Sequence, residues 1–454
     1  MRGLLSFALL AVLVQAACSD APAPPPNLVL ITLDTLRADR LGAYGYANGT
    51  SPVLDSLARS GVRFADAIAQ STATSPSHAS ILTGLNPPRH GLRKLYGQRL
   101  ADANETLAEI LQAAGYSTAA FVSALPLRHS VGLDQGFDLY SDGSAESDGT
   151  PKSMRAGLTN DRVRSWLQSA PPTPVFLWVH YFDPHHPYFP PAAYRERFGL
   201  QNTKLATLPI PRNTNRNRRD GTPLPPPNAK AARRASDLYD AEIAYMDDSI
   251  GELLASLREA GLLENAVIAY VGDHGEHLGE SGYWFGHWDV LDETARVPMV
   301  IVHPEGLHAG TVVEESTGTI DLVPTLLTWL GVESSLDFDG IDLTQRIEGG
   351  APKPRVFYTE QFEYFPVRAV RSGDWMLHQP DQSTPPSLYR RVPSGGTATR
   401  VDTEAAIQAQ LTKALLELAE PTARHTSERL TLPDEVRERL RALGYSNEAR
   451  GPGG

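Results

Sequence analysis

What most limits the fold of this chain is a series of short apolar runs that end in polar residues. Asn27-Leu-Val-Leu-Ile-Thr-Leu33 is unbroken and rich in β-branched residues, and Asp34 follows it directly. A run without polar alternation predicts a strand buried on both faces of a parallel sheet. Similar runs recur at 119–123, 175–180, 266–271 and 297–302, and helical patterns separate them at 106–114, 161–168 and 238–260. That alternation predicts an α/β fold, a large and mostly parallel sheet sandwiched by helices. Open sheets of this kind bind ligands at the carboxyl ends of their strands. Three runs end in polar clusters: Asp34, Asp183-Pro184-His185 and Asp273-His274. Their agreement predicts an active site at that edge.

With 454 residues there is length for one large domain and a smaller one. The formal net charge of -12 leaves no broad basic field, which argues against nucleic acid as a partner. An anionic substrate stays compatible, because a bound metal can set the local field. Met1-Arg2-Gly3, the apolar stretch 4–14 and Gln15-Ala16-Ala17 read as an export signal, too short to span a bilayer. Cys18, the only cysteine, follows at once and resembles the lipidated residue of a bacterial lipobox, with Gln15 where Leu or Val is usual. A lone cysteine leaves no internal disulfide.

Residues 1–18 are therefore expected to be a signal peptide with lipobox, and the proline-rich 19–26 a tether. The expected location is outside the cytoplasm, in the periplasm or as an outer-membrane lipoprotein of a bacterium, touching membrane only through that anchor. Residues 27–345 form the expected main domain, with 201–235 an inserted surface loop carrying Arg212, Arg216, Arg218 and Arg219. Strand patterns at 355–360, 367–371 and 375–378, then a helix over 403–419, predict a smaller C-terminal α+β subdomain spanning 346–420. Residues 421–454 read as a helical tail.

Asp273-His274-Gly275-Glu276 offers a carboxylate, an imidazole and a glycine that lets backbone approach closely. An Asp-His step at a strand end can place both groups on one metal, although a capped turn has the same look. Asp34 can add a third ligand or cap the helix after it. Residues 72–84 are a hydroxyl-rich turn entering a helix. A helix start favours an oxyanion, and a hydroxyl there, ligated by a metal, would attack an ester.

In order along the chain these segments resemble the sulfatase family of the alkaline phosphatase superfamily. Asn27–Asp34 with Leu41-Gly-Ala-Tyr-Gly45 is similar to the family's opening strand, and Thr74-Ser-Pro-Ser-His-Ala-Ser-Ile-Leu-Thr-Gly84 matches its signature C-x-P-S-R-x-x-x-x-T-G in spacing. Phe182-Asp-Pro-His-His-Pro-Tyr188, Tyr239–Asp248, Val271-Gly-Asp-His-Gly-Glu276, Gly286-His287, Ile320–Leu327 and Arg371–Trp375 continue the likeness. It implies an alkaline phosphatase-like sheet, an ester hydrolase activity and a divalent metal.

The departures fall on the parts that serve sulfate. Thr74 stands where sulfatases carry the Cys or Ser that becomes formylglycine, so no formylglycine is expected. His78 replaces the signature Arg, Thr35 replaces a second Asp, and His287 stands where the family has Lys. What remains resembles the phosphoester members, phosphonate monoester hydrolases and phospho-alcohol transferases, several of which use an unmodified threonine. The resemblance implies one divalent metal on Asp34, Thr74, Asp273 and His274, with Mn, Zn, Ca and Mg all open and His274 favouring Mn or Zn. It implies a covalent Thr74 ester, His185 and His287 binding oxygens or protonating the leaving group, and His78 positioning Thr74 or protonating the intermediate. The expected partner is an anionic ester, a sulfate or a phosphate or phosphonate, with phosphorus favoured. Two alternatives stand: a transferase moving a phospho-alcohol head group onto an envelope glycan or lipid, and an inactive member that binds a sulfated or phosphorylated glycan.

Overall fold

The computed structural model describes residues 24–143, 155–202, 229–280, 285–351, 353–362, 366–392, 398–420, 422 and 427–431. The expected signal with Cys18, the tether up to 23, residues 203–228 of the insertion and the tail beyond 431 lie outside these. No helix among the described residues is long and apolar enough to cross a membrane.

The strands are β1 (Asn27–Leu33), β2 (Val62–Ile68), β3 (Gln98–Arg99), β4 (Ser117–Phe121), β5 (Leu139–Ser141), β6 (Val175–Tyr181), β7 (Ala266–Gly272), β8 (Arg296–Val302), β9 (Val312–Val313) and β10 (Thr317–Gly318). All but β3 form one sheet in the order β10-β2-β8-β7-β1-β6-β4-β5, with β9 also on β2. The central β1 pairs in parallel with β6 and β7. Every residue of β1 and of β6 is buried, as their unbroken apolar sequences require. Leu28 and Leu30 face one core with Phe176 and Trp178; Val29, Ile31 and Leu33 face another with Leu177 and Tyr181. Helices Thr74–Thr83, Leu107–Ala113 and Leu322–Leu330 bury apolar residues in the first core, and Pro52–Ser60, Ala156–Leu167 and Ala229–Glu259 in the second.

Three features differ from the sequence reading. β8, read as one more parallel strand, runs antiparallel to both β7 and β2. Among the described residues of 273–295 the only helix is the short Asp292–Ala295, with no crossover helix, and the chain re-enters the sheet in the opposite direction. β2 escaped notice because Arg63 and Asp66 interrupt it, and its pairing shifts between Phe64 and Ala67. The long helix begins at Ala229, so the last seven residues of the expected 201–235 loop are helical.

A second, antiparallel sheet contains β11 (Phe357–Gln361), β12 (Val367–Ser372), β13 (Trp375–Gln379), β14 (Ser387–Arg390) and β15 (Thr399–Arg400). Helix Ala405–Ala419 covers it, packing Leu411 and Leu415 against Tyr358, Val370, Leu377 and Leu388. Within the expected tail, β16 (Glu428–Arg429) pairs back onto β3. The two sheets are joined by buried charge. Arg391 grips Asp66 of β2 through two nitrogens, at 2.8 and 3.1 Å, and also Asp292 at 2.8 Å. Arg371 of β12 holds the same Asp292 at 2.9 Å. Beside this lock, Glu360 of β11 exchanges backbone hydrogen bonds with Gln70 and Thr72, just ahead of Thr74.

Candidate active site

Leu33 pairs with Gly272, so β1 and β7 end side by side and present Asp34, Asp273 and His274 together. One ligand atom from each lies within 4.8 Å of the others, and all three side chains are buried. Asp34 Oδ1 and Asp273 Oδ2 have no hydrogen-bond partner among the described residues. Asp273 Oδ1 accepts from the backbone N–H of Thr35 at 3.1 Å and of His274 at 2.6 Å. His274 Nδ1 donates to the Gly275 carbonyl at 3.1 Å, which leaves the Nε2 lone pair 3.4 Å from Asp273 Oδ2.

Burial, then the charge of Asp273, pushes the Asp34 carboxyl well above the usual range. Burial likewise raises Asp273 and holds His274 neutral. Two carboxylates about 4–5 Å apart repel by about 3–4 kcal/mol at an effective dielectric near ~20. Orphaned carboxylate oxygens facing an imidazole lone pair are a donor set that fits one divalent cation.

The backbone here is bent on purpose. Thr35 has φ 54°, rare and costly for a β-branched residue. That turn aims its N–H at Asp273, while its carbonyl accepts from the Tyr239 hydroxyl at 2.7 Å. At Gly275 a Cβ would lie 2.2 Å from the Glu293 carbonyl oxygen, so only glycine lets the 273–276 turn pass.

Thr74 opens the Thr74–Thr83 helix, with Ala73 as its extended N-cap. Its Oγ1 lies 3.4 Å from His274 Nε2, and the positive end of the helix faces the same place. The neighbouring hydroxyls are committed elsewhere. Ser75 donates to Pro126 O at 2.8 Å, Ser77 to Asp273 O at 2.6 Å and Thr72 to Asp289 O at 2.7 Å.

His287 Nδ1 donates to the Thr72 carbonyl at 2.7 Å, leaving Nε2 as an acceptor, and its ring centroid lies 4.3 Å from that of His274. His185 stands across from it at 5.6 Å and donates from Nδ1 to the His186 carbonyl. Burial lowers His287 to about 4 and puts His185 well below its ordinary value, so both are neutral in the free protein. His78 is tied at both ends. Nδ1 donates to the Thr74 carbonyl at 2.8 Å and Nε2 accepts from Thr32 Oγ1 at 3.0 Å, which itself accepts from Trp178 Nε1 at 2.9 Å. The ring therefore lies beneath Thr74 and is held by the floor of the sheet.

Sequence reasoning left out His180 and Tyr239. His180 is the register partner of Thr32 and puts Nε2 3.7 Å from Asp34 Oδ2. Its signal was the period of two along β6, which places it on the same face as Trp178, toward the Thr74–Thr83 helix.

A family model described as Sulfatase matches residues 26–332. This chain belongs to the sulfatase family. Like other members it is an ester hydrolase of a family that uses a divalent metal. As a sulfatase-family chain it is 27% identical over 384 residues to an arylsulfatase of Clostridium perfringens, covering 71% of this chain and 78% of that protein. It is 25% identical over 431 residues to human arylsulfatase A, with 81% and 77% covered. Its fold is similar to that of a phosphonate monoester hydrolase from Silicibacter pomeroyi, with TM-score 0.70, 22% identity and 88% and 96% covered.

Proposed function

We propose that this chain cleaves phosphate or phosphonate esters in preference to sulfate esters, with Thr74 as its nucleophile. The observation that carries this reading is the placement of Thr74 Oγ1 3.4 Å from His274 Nε2, at a helix start, with no aldehyde precursor at that position. Asp34, Asp273, His274 and the Thr74 oxygen would hold one divalent cation. When bound, such an ion lowers the pKa of a ligated hydroxyl and offsets negative charge on the substrate.

The rest follows from the chain's own groups. Thr74 Oγ1 gives up its proton to solvent as it bonds to phosphorus and the bond from phosphorus to the alcohol oxygen breaks. His185 and His287, neutral until an anion arrives, favour the protonated form beside it and supply the proton that the departing alkoxide takes up. Water then attacks phosphorus, the bond to Oγ1 breaks, and one proton of that water passes to Thr74 Oγ1. The doubly tied His78 supports a positioning role beneath Thr74 in preference to proton transfer. A threonyl sulfate has no route for collapse to an aldehyde and must await water at sulfur, whereas a phosphorylated threonine is open to direct hydrolysis.

Matched nitrophenyl phosphate, phosphodiester, phosphonate and sulfate substrates, assayed with Mn²⁺, Zn²⁺, Mg²⁺ and Ca²⁺, test the reading. Faster turnover at phosphorus supports it, and a clear preference for sulfate overturns it. The leader and Cys18 support lipid-anchored export. Mass spectrometry of the mature N-terminus tests that, and an unmodified Cys18 would refute the anchor.

A further inference from the structure

We infer that His180 is a positioning residue for the metal site, donating from Nε2 to Asp34 Oδ2 so that Oδ1 is left to face the cation. The inference rests on the divalent-metal reading of Asp34, Asp273 and His274.

Its foundation is the tautomer. The backbone N–H of Ser123 points at His180 Nδ1 from 3.4 Å, and an N–H can only donate. The Ser123 hydroxyl oxygen lies equally near Nδ1, at 3.4 Å, and donates to the His180 carbonyl at 2.8 Å. We take the N–H contact as the one that sets the ring, with Nδ1 accepting and the single proton of the neutral ring on Nε2, facing the acceptor-only Asp34 carboxylate. That Nε2 is buried without a hydrogen-bond partner among the described residues, and the carboxylate oxygen of Asp34 lies 3.7 Å away, just beyond hydrogen-bond range. A buried donor left unmade is destabilising, so its presence at this spot calls for a partner in the working state.

The surroundings limit the alternatives. The ring packs edge-on to His78, with centroids 5.1 Å apart, and β6 fixes its backbone opposite Thr32. Burial, then His78 and His185, keeps His180 neutral. The protonated Nε2 has no lone pair for a metal, so this tautomer cannot be a ligand. The group of atoms within 4.8 Å of one another comprises Asp34, Asp273 and His274 without it. Neutrality also suits the site, since two carboxylates already balance a divalent ion. Groups that orient metal ligands in this way typically contribute about 10–100-fold in metal affinity.

The test is Mn²⁺ titration of the metal-free protein by calorimetry, in wild type, His180→Phe and His180→Gln, with thermal unfolding of each in EDTA. His180→Phe should weaken Mn²⁺ binding by about 10–100-fold with little change in the metal-free Tm, because the unsatisfied Nε2 donor is removed while the Ser123 N–H loses its acceptor. His180→Gln, which keeps an N–H at similar reach, should recover most of the affinity. Equal Mn²⁺ affinity in wild type and His180→Phe overturns the inference, as does a Gln variant no better than Phe. Nitrogen-15 NMR of the wild-type ring, which needs no variant to fold, should show the Nε2–H tautomer, and a protonated Nδ1 would overturn it. A wild type that takes up no divalent metal would overturn the metal reading itself; a wild type that binds while His180→Phe binds equally well would overturn only the role of His180.

Discussion

The hydroxyl of Tyr239 grips the backbone on both sides of a strained turn: it donates to the Thr35 carbonyl at 2.7 Å and accepts from the Arg37 N–H at 3.0 Å. The turn in turn aims the Thr35 N–H at Asp273 Oδ1. Tyr239→Phe should cost about 1–2 kcal/mol in denaturant unfolding, the net value of two buried hydrogen bonds. It should also weaken Mn²⁺ binding, because the Asp273 carboxylate loses its fixed donor. Unchanged stability and affinity together would contradict this role.

Why Tyr239 and His180 stayed hidden, when Asp34, Asp273 and His274 did not, has a physical reason. The three acids and bases close apolar strands, so the end of each run marks them. Tyr239 lies inside a helix and His180 inside a strand, where aromatic residues are ordinary core. Their roles come from partners 204 and 57 residues away, in Thr35 and Ser123. The sheet was legible from its unbroken apolar strands. The direction of β8 was not, because apolar runs look alike in either direction. β2 was not, because Asp66 is tolerated inside the sheet through partners distant in sequence, Ser316, Arg296 and above all Arg391.

That lock predicts a stability effect. Arg391→Ala leaves Asp66 and Asp292 buried with part of their countercharge gone. Breaking a buried pair in this way costs about 3–5 kcal/mol, measurable by urea unfolding. Arg371 and Arg391 hold the Asp292 carboxyl down to about 2 against its burial. Because that folded value is depressed below 3.8, the stabilisation is present above pH 3.8 and is lost as pH falls through about 2. An Arg391→Ala protein with wild-type stability at neutral pH would contradict the account.

Glu276 carries the opposite sign. Burial raises its carboxyl from 4.5 to about 8. A raised folded value favours the folded state below pH 4.5, and that advantage is lost as pH rises to about 8. In EDTA, the Tm of the wild type should fall across this window more steeply than that of Glu276→Gln. Parallel curves would show that Glu276 does not titrate on unfolding.

Around the nucleophile, the hydrogen bonds sort the hydroxyls. Ser75→Ala should keep turnover within a few-fold of wild type, since Ser75 Oγ only holds the carbonyls of Leu95 and Pro126. Its cost should appear as about 1 kcal/mol of stability. Thr74→Ser should retain part of the activity, because the oxygen stays and a methyl is lost. Steady-state kinetics on the best phosphate or phosphonate substrate check both, and a Ser75→Ala protein without turnover would reassign the nucleophile.

The covalent step itself can be seen. Metal-loaded protein turning over a phosphate or phosphonate ester, quenched in acid and digested, should yield a peptide carrying the phosphoryl or phosphonyl group on Thr74, and Thr74→Ala should yield none and turn over at background rate. An unmodified Thr74 in rapidly quenched, actively turning-over protein, or a Thr74→Ala variant with undiminished kcat, would contradict the assignment.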